Sequence, residues 1–172
     1  RLTIPAVNVS SWFETTTPVR VHTNEHLIGK VAADYFLKRG LRSFAYWGST
    51  FGAYSQHRRD GFRDTLKQAG HDCEVFDSTV EANVSREQWM AAEERMGRRL
   101  AEMDKPIGML CVNDMLAREL LWVAERLGLR CPDDLAVLGV ENDELACSAC
   151  IPPLSSVELA AARIGQDAAA TL

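Results

Sequence analysis

The sequence contains no run of about 18 apolar residues, which excludes a membrane-spanning helix. It also lacks any four consecutive lysines or arginines, and its 24 Asp and Glu outnumber 19 Lys and Arg, for a formal net charge of -5. Phosphate binding rests on a positive surface, so direct nucleic-acid binding by this stretch is disfavoured. Sequences of the Walker A, GxGxxG, GxSxG and HExxH types are missing. The loop GSTFG at 48–52 has two glycines but not the Lys-Ser/Thr that a phosphate loop needs. The four histidines are scattered without metal spacing. An enzyme needs a base, metal or phosphate site, and neither that nor a cofactor or metal site is expected. Internal repeats, low-complexity tracts and Gly/Ser linkers are likewise missing.

Cysteine is present but odd in number: Cys73, Cys111, Cys131, Cys147 and Cys150. A chain of 172 residues folds without covalent staples, so free thiols in a reducing cytosol are expected. Cys147 and Cys150 form a CxxC, yet no second CxxC or HxxxH completes four ligands, and the expectation is two unligated thiols in a loop.

What is present is ordinary for a globular protein, with 47% apolar and 25% charged residues. The chain starts at Arg1 rather than Met and stops at Leu172 inside an Ala-rich helical pattern, so it reads as a piece of a longer protein. Short apolar runs at 4–9, 43–48, 73–78, 107–112 and 135–140 are strand candidates. Helical patterns lie at roughly 25–38, 56–69, 86–103, 115–127 and 158–172. Gly40, Gly70 and Gly128 stand where helices end, and Ser85 with Gln88 forms a capping box. Strand-helix alternation of this kind implies a parallel sheet with helices on both faces.

In helix 115–127, Leu116, Ala117, Leu120, Leu121, Val123, Ala124 and Leu127 fill one arc of about 160° and are expected to face the sheet. Arg118, Glu119, Glu125 and Arg126 lie opposite. Trp122 sits within that charged face, as either a lone exposed aromatic or part of a protein interface.

Ligands of an open parallel sheet bind beyond the carboxyl ends of its strands. Asn8 follows the first apolar run, and His57, Arg58 and Arg59 follow the second. Asn113-Asp114 and Glu141-Asn142-Asp143 follow the runs at 107–112 and 135–140. Amides donate and accept, carboxylates accept, and a guanidinium donates along a fork. A buried polyol needs that mixture, because each hydroxyl is both donor and acceptor. Asn and Asp also cap helices; Asn113 is expected to point into the crevice while Asp114 caps or braces the turn. Cations at a helix start oppose the helix dipole, so Arg58 needs a ligand oxygen or a carboxylate such as Glu141 nearby. Trp89 falls on the stripe Trp89, Ala92, Met96, Leu100 and Met103, which is core spacing. Its place in the first turn equally allows it to stack on a sugar.

The stretches HTNEHLIGKVAADYFLKRG, RRDGF, LCVND, CPDDLAVLGVENDEL and PPLSSV, in this order and spacing, resemble the effector-binding domain of LacI/GalR-type regulators, which are built like periplasmic sugar-binding proteins. LGVENDEL followed by PPLSSVELAAARIG, with VNVSS near the start, is most similar to xylose-sensing members that carry an AraC-type DNA-binding domain at the C-terminus. The resemblance covers essentially the whole chain. It implies an α/β, periplasmic-binding-protein-like type I fold of two lobes closing on a sugar, xylose or a similar pentose. Residues 1–21 would finish the first lobe, 22–151 form the second, and 152–172 cross back to the first; a DNA-binding domain would lie outside this chain.

By motif position, the resemblance makes Arg58, Asn113, Trp89 and Asn8 sugar contacts. Glu141 replaces the family's usual Asp, its extra methylene moving the carboxylate about 1 to 1.5 Å deeper or turning it elsewhere. The resemblance also implies a homodimer formed partly through Arg118 and Trp122. A cytoplasmic regulator is therefore expected, with a periplasmic solute-binding protein of the same fold as the alternative.

Overall fold

A computed structural model of the chain describes residues 4–12, 19–50, 52–78 and 85–172. Its elements run α1 (Glu25–Lys38), β1 (Ser43–Ser49), α2 (Ala53–Gln68), β2 (Glu74–Ser78), α3 (Arg86–Glu102), β3 (Ile107–Cys111), α4 (Asp114–Arg126), β4 (Leu135–Glu141), α5 (Glu144–Ser148), β5 (Ser155–Glu158) and α6 (Ala161–Thr171). The five strands form one sheet in the order β2-β1-β3-β4-β5, and every pair is parallel. The expected α/β architecture is therefore present.

Alternation along each strand explains why these runs are apolar throughout. Phe44, Tyr46, Leu110, Val112, Leu138 and Val140 point to one face, where Ile28, Ala32, Ala33 and Phe36 of α1 and Phe62 and Leu66 of α2 cover them. Ala45, Trp47, Met109, Cys111 and Leu135 point to the other, covered by Met96 and Leu100 of α3 and by Ala117, Leu120, Val123 and Ala124 of α4. Gly40, Gly70 and Gly128 have φ of +79°, +82° and +69°, as helix-terminating glycines require. The Ser85–Gln88 capping box is formed. Leu127 departs from the expected buried arc, being 43% exposed, although its side chain lies over Gly97 of α3.

Other expectations need correction. The run at 4–9 forms no strand among the described residues; Asn8 makes one parallel bridge to Arg20. Pro5 cannot donate to a ladder, and Ile4 and Val9 are exposed rather than packed. The helix expected at 56–69 starts at Ala53, after Gly52 at φ +89°. The helix expected from 158 starts at Ala161, because Ser155–Glu158 pairs with β4 as the edge strand. α5 was not anticipated: Asp143 caps it through the Ala146 amide at 2.8 Å, a five-residue helix too short to show periodicity.

α1 and α2 meet backbone to backbone at two glycines. A methyl group on Gly29 would lie 2.0 Å from the Arg58 carbonyl oxygen, and one on Gly61 would lie 2.0 Å from that of His26. These contacts hold the second and third turns of α2 against the first two turns of α1. Gly61→Ala should lower the stability of the intact protein by about 2 kcal/mol, since overpacking of about 3 kcal/mol outweighs about 1 kcal/mol of helix propensity. Urea unfolding gives the midpoint, and an unchanged or raised value would contradict the close approach.

Candidate functional site

A cavity of about 560 Å³ opens at the carboxyl ends of the strands, and Arg58, Asn113 and Glu141 all line it. The second turn of α2 and the chain at the ends of β3 and β4 thus reach one rim. Glu25, Tyr54, Ser11 and Trp12 line it too. Leu159 and Ile164 supply an apolar margin before and within α6.

Arg58 is 3% exposed, and its position answers the electrostatic question raised above. Because α2 begins at Ala53, Arg58 lies past the first turn and away from the dipole's positive end. Its Nε donates to Glu25 Oε2 at 2.6 Å, and its Nη1 donates to the Val112 carbonyl at the end of β3. The compensating carboxylate is thus Glu25, not Glu141. Ser11 Oγ donates to the other Glu25 oxygen at 2.7 Å. Arg58 stands 5.1 Å from the Tyr54 ring centroid, and Tyr54 packs on Trp12 at 5.3 Å. The remaining guanidinium N–H groups adjoin an aromatic wall suited to the apolar face of a sugar.

Asn113 does two things at once. Its Oδ1 accepts from the Leu116 amide at 2.9 Å and caps α4. Its amide nitrogen makes no bond to any described residue and remains for the cavity. Asp114 braces rather than caps. Only 1% exposed, it accepts from the Asp143 amide at 2.8 Å and from Ser156 Oγ at 2.5 Å. Ser156 Oγ in turn accepts from the Asn142 amide at 3.0 Å. A methyl group on Gly139 would lie 2.1 Å from Asp114 Oδ1, which explains the glycine in VLGV.

That brace holds an unusual turn. Glu141 and Asn142 have φ of +113° and +55°; Asn tolerates its conformation, whereas that of Glu141 costs of order 1–3 kcal/mol for a non-glycine residue. The strained turn brings the Glu141 carboxyl to the cavity. Burial pushes its pKa above the ordinary value of 4.5; Asp114, Asp143 and Glu25 push the same way, and Arg58 opposes them.

Trp89 and Asn8 are not among the residues lining this cavity. Trp89 is half-buried, its Nε1 donates to Glu93 at 2.7 Å, and it packs beside Trp47 at 6.3 Å. Together they line a separate cavity of about 250 Å³. Asn8 Oδ1 accepts from the Ser10 amide at 2.9 Å, shaping the turn that presents Ser11 and Trp12. Arg118 and Trp122 stand together on α4 at 5.3 Å, with Trp122 50% exposed next to an almost fully exposed Ile151.

Sequence reasoning missed Glu25, Tyr54, Ser11 and Trp12. Glu25 is a normal first-turn acid, and its bond to a residue 33 positions away leaves no local trace.

The five cysteines are free. Burial and the neighbouring Asp114 carboxylate raise the Cys147 thiol to about 11, so it is protonated at neutral pH. Among the described residues, no group of three or more His, Cys, Asp and Glu is arranged to hold a metal. No helix among them is long and apolar enough to cross a membrane.

A parallel sheet with helices on both faces and a cavity at its strand ends is the architecture of an open α/β ligand-binding domain. The chain belongs to the periplasmic binding protein-like domain family, whose model matches residues 33–172. It is similar to the xylose operon regulatory protein of Escherichia coli (strain K12), at 27% identity over 176 residues, covering 98% of this chain and 44% of that protein. It is also similar to the HTH-type transcriptional regulator GntR of Pseudomonas aeruginosa, at 34% identity over 145 residues, covering 84% and 41%. A solved xylose-binding transcription activator, xylR, superposes with a TM-score of 0.79 at 24% identity, covering 98% of this chain and 46% of that one. The chain therefore spans less than half the length of these relatives.

Breaking a buried ion pair by removing one partner costs about 3–5 kcal/mol. Arg58→Met and Glu25→Leu should each destabilise the intact protein by about that much, and the double substitution by clearly less than their sum. Additive losses in chemical denaturation would mean that the two side chains do not act as a pair.

Proposed function

We propose that this chain is part of the sugar-sensing effector domain of a bacterial transcriptional regulator, with D-xylose or a similar pentose as its ligand. Residues 22–151 are assigned to one lobe, whose sheet takes its edge strand from Ser155–Glu158, 1–21 to part of another, and 152–172 to the crossover and return helix. The observation that carries this reading is the convergence of Arg58, Asn113 and Glu141 on one cavity beside Trp12 and Tyr54. These groups offer donors, an acceptor and aromatic faces, the mixture that a polyol needs.

A ligand shifts a two-state equilibrium only by its difference in affinity for the two states. Sugar held by both lobes therefore favours the closed arrangement. A homodimer joined partly through Arg118 and Trp122 would pass that closure to DNA-binding domains of AraC type outside this chain. Free thiols suit the cytoplasm better than the periplasm, and the curated relatives are regulators rather than transport proteins.

Calorimetry of the intact protein against D-xylose, D-ribose and L-arabinose tests the ligand class. One of the three is expected to bind with negative heat-capacity change; no heat with any of them would remove the sugar reading.

The Glu141 carboxyl makes a signed prediction. Its raised pKa means that the folded protein holds more protons than the unfolded chain, so its contribution to stability falls as pH rises from 4.5 through the raised value. A sugar hydroxyl donating to the carboxylate stabilises the charged form and lowers that pKa. Sugar binding should therefore release protons within this window and tighten as pH increases through it. Binding enthalpies in buffers of different ionisation heat measure the release, and proton uptake or none would separate Glu141 from the ligand.

A further inference from the structure

The charges lining the cavity are unevenly matched. Among the described lining residues, Arg58 supplies one positive charge and Glu25 and Glu141 supply two negative ones. Glu25 and Arg58 are in direct contact at 2.6 Å with both side chains 4% exposed, so the guanidinium's charge is balanced first by Glu25 while its other N–H groups offer hydrogen bonds. Glu141 has no such partner. It is held at the rim by a turn of positive φ, and Asp114 and Asp143 flank it. β5 adds another carboxylate nearby, since Glu158 is the direct register partner of Glu141. The described lining residues therefore carry a net negative charge, and no lysine or histidine among them offsets it.

We propose that Glu141 makes this site selective by charge: it accepts neutral sugars, favours cationic amino sugars, and rejects anionic ones such as sugar acids and sugar phosphates. This rests on the sugar-binding reading above. The strain in the turn gains a purpose, since it keeps a carboxylate at the cavity, where it would repel an anionic substituent on a bound ring. An anion seeking Arg58 would also displace or repel Glu25, whose two oxygens are engaged by Arg58 and Ser11. The raised carboxyl pKa adds a limit: protonation at low pH should weaken the selection.

The test is calorimetry of the intact protein and its Glu141→Gln variant with D-xylose, D-glucuronate and 2-amino-2-deoxy-D-xylose in its ammonium form. D-glucuronate carries the same ring hydroxyls as xylose plus a carboxylate. In the wild type, glucuronate should bind at least about tenfold more weakly than xylose and the amino sugar at least as tightly. In Glu141→Gln both differences should shrink, and added salt should shrink them in the wild type, because the effect is electrostatic. Glucuronate binding as tightly as xylose would overturn the proposal while leaving the sugar site intact. So would an amino-sugar preference that is missing, or that survives in Glu141→Gln. Failure of all three to bind the wild type would instead overturn the sugar reading, and the charge proposal with it.

Discussion

The buried pair of Arg58 and Glu25 is the constraint on which the site depends. Neither charge is stable alone in that environment, and their contact exists because Gly29 and Gly61 let α1 and α2 touch backbone to backbone. The same guanidinium donates to the carbonyl of Val112, just past the end of β3. One side chain thus ties two helices to the central strand at the point where ligand chemistry is expected. An Arg placed this way is pre-organised, and its remaining donors need no rearrangement to meet a hydroxyl.

A second brace acts on the far side of the rim. Asp114, buried behind Asn113, gathers the Asp143 amide and the Ser156 hydroxyl, and so holds Glu141 and Asn142 in left-handed conformations. The Asn-Asp pair after β3 divides its labour: Asn113 caps α4 and faces the cavity, while Asp114 fixes the neighbouring turn. Strain at Glu141 persists because its surroundings over-determine it.

Much of this was legible in the sequence. Alternating apolar runs, helix-ending glycines and the Ser85 capping box marked most elements, since each depends on local chemistry. The rule that ligands gather beyond strand ends brought Arg58, Asn113 and Glu141 to the same rim. Contacts between distant segments were not legible. Glu25 looked like an ordinary first-turn acid, and Ser11 and Trp12 followed a run misread as a strand. Trp89 fitted core spacing and pocket placement equally well, and the structure packs it against the core beside Trp47. β5 and α5 are four and five residues long, too short for periodicity to register.

The proposed function makes one claim: a single small sugar meets Arg58 of α2 and the turns after β3 and β4 together. A crystal structure of the intact protein grown with the pentose that binds measures this directly. Sugar oxygens within about 3 Å of the Arg58 guanidinium, the Asn113 amide nitrogen and the Glu141 carboxylate are the predicted result. Sugar seated elsewhere, or touching this rim through only one of the three, would contradict it.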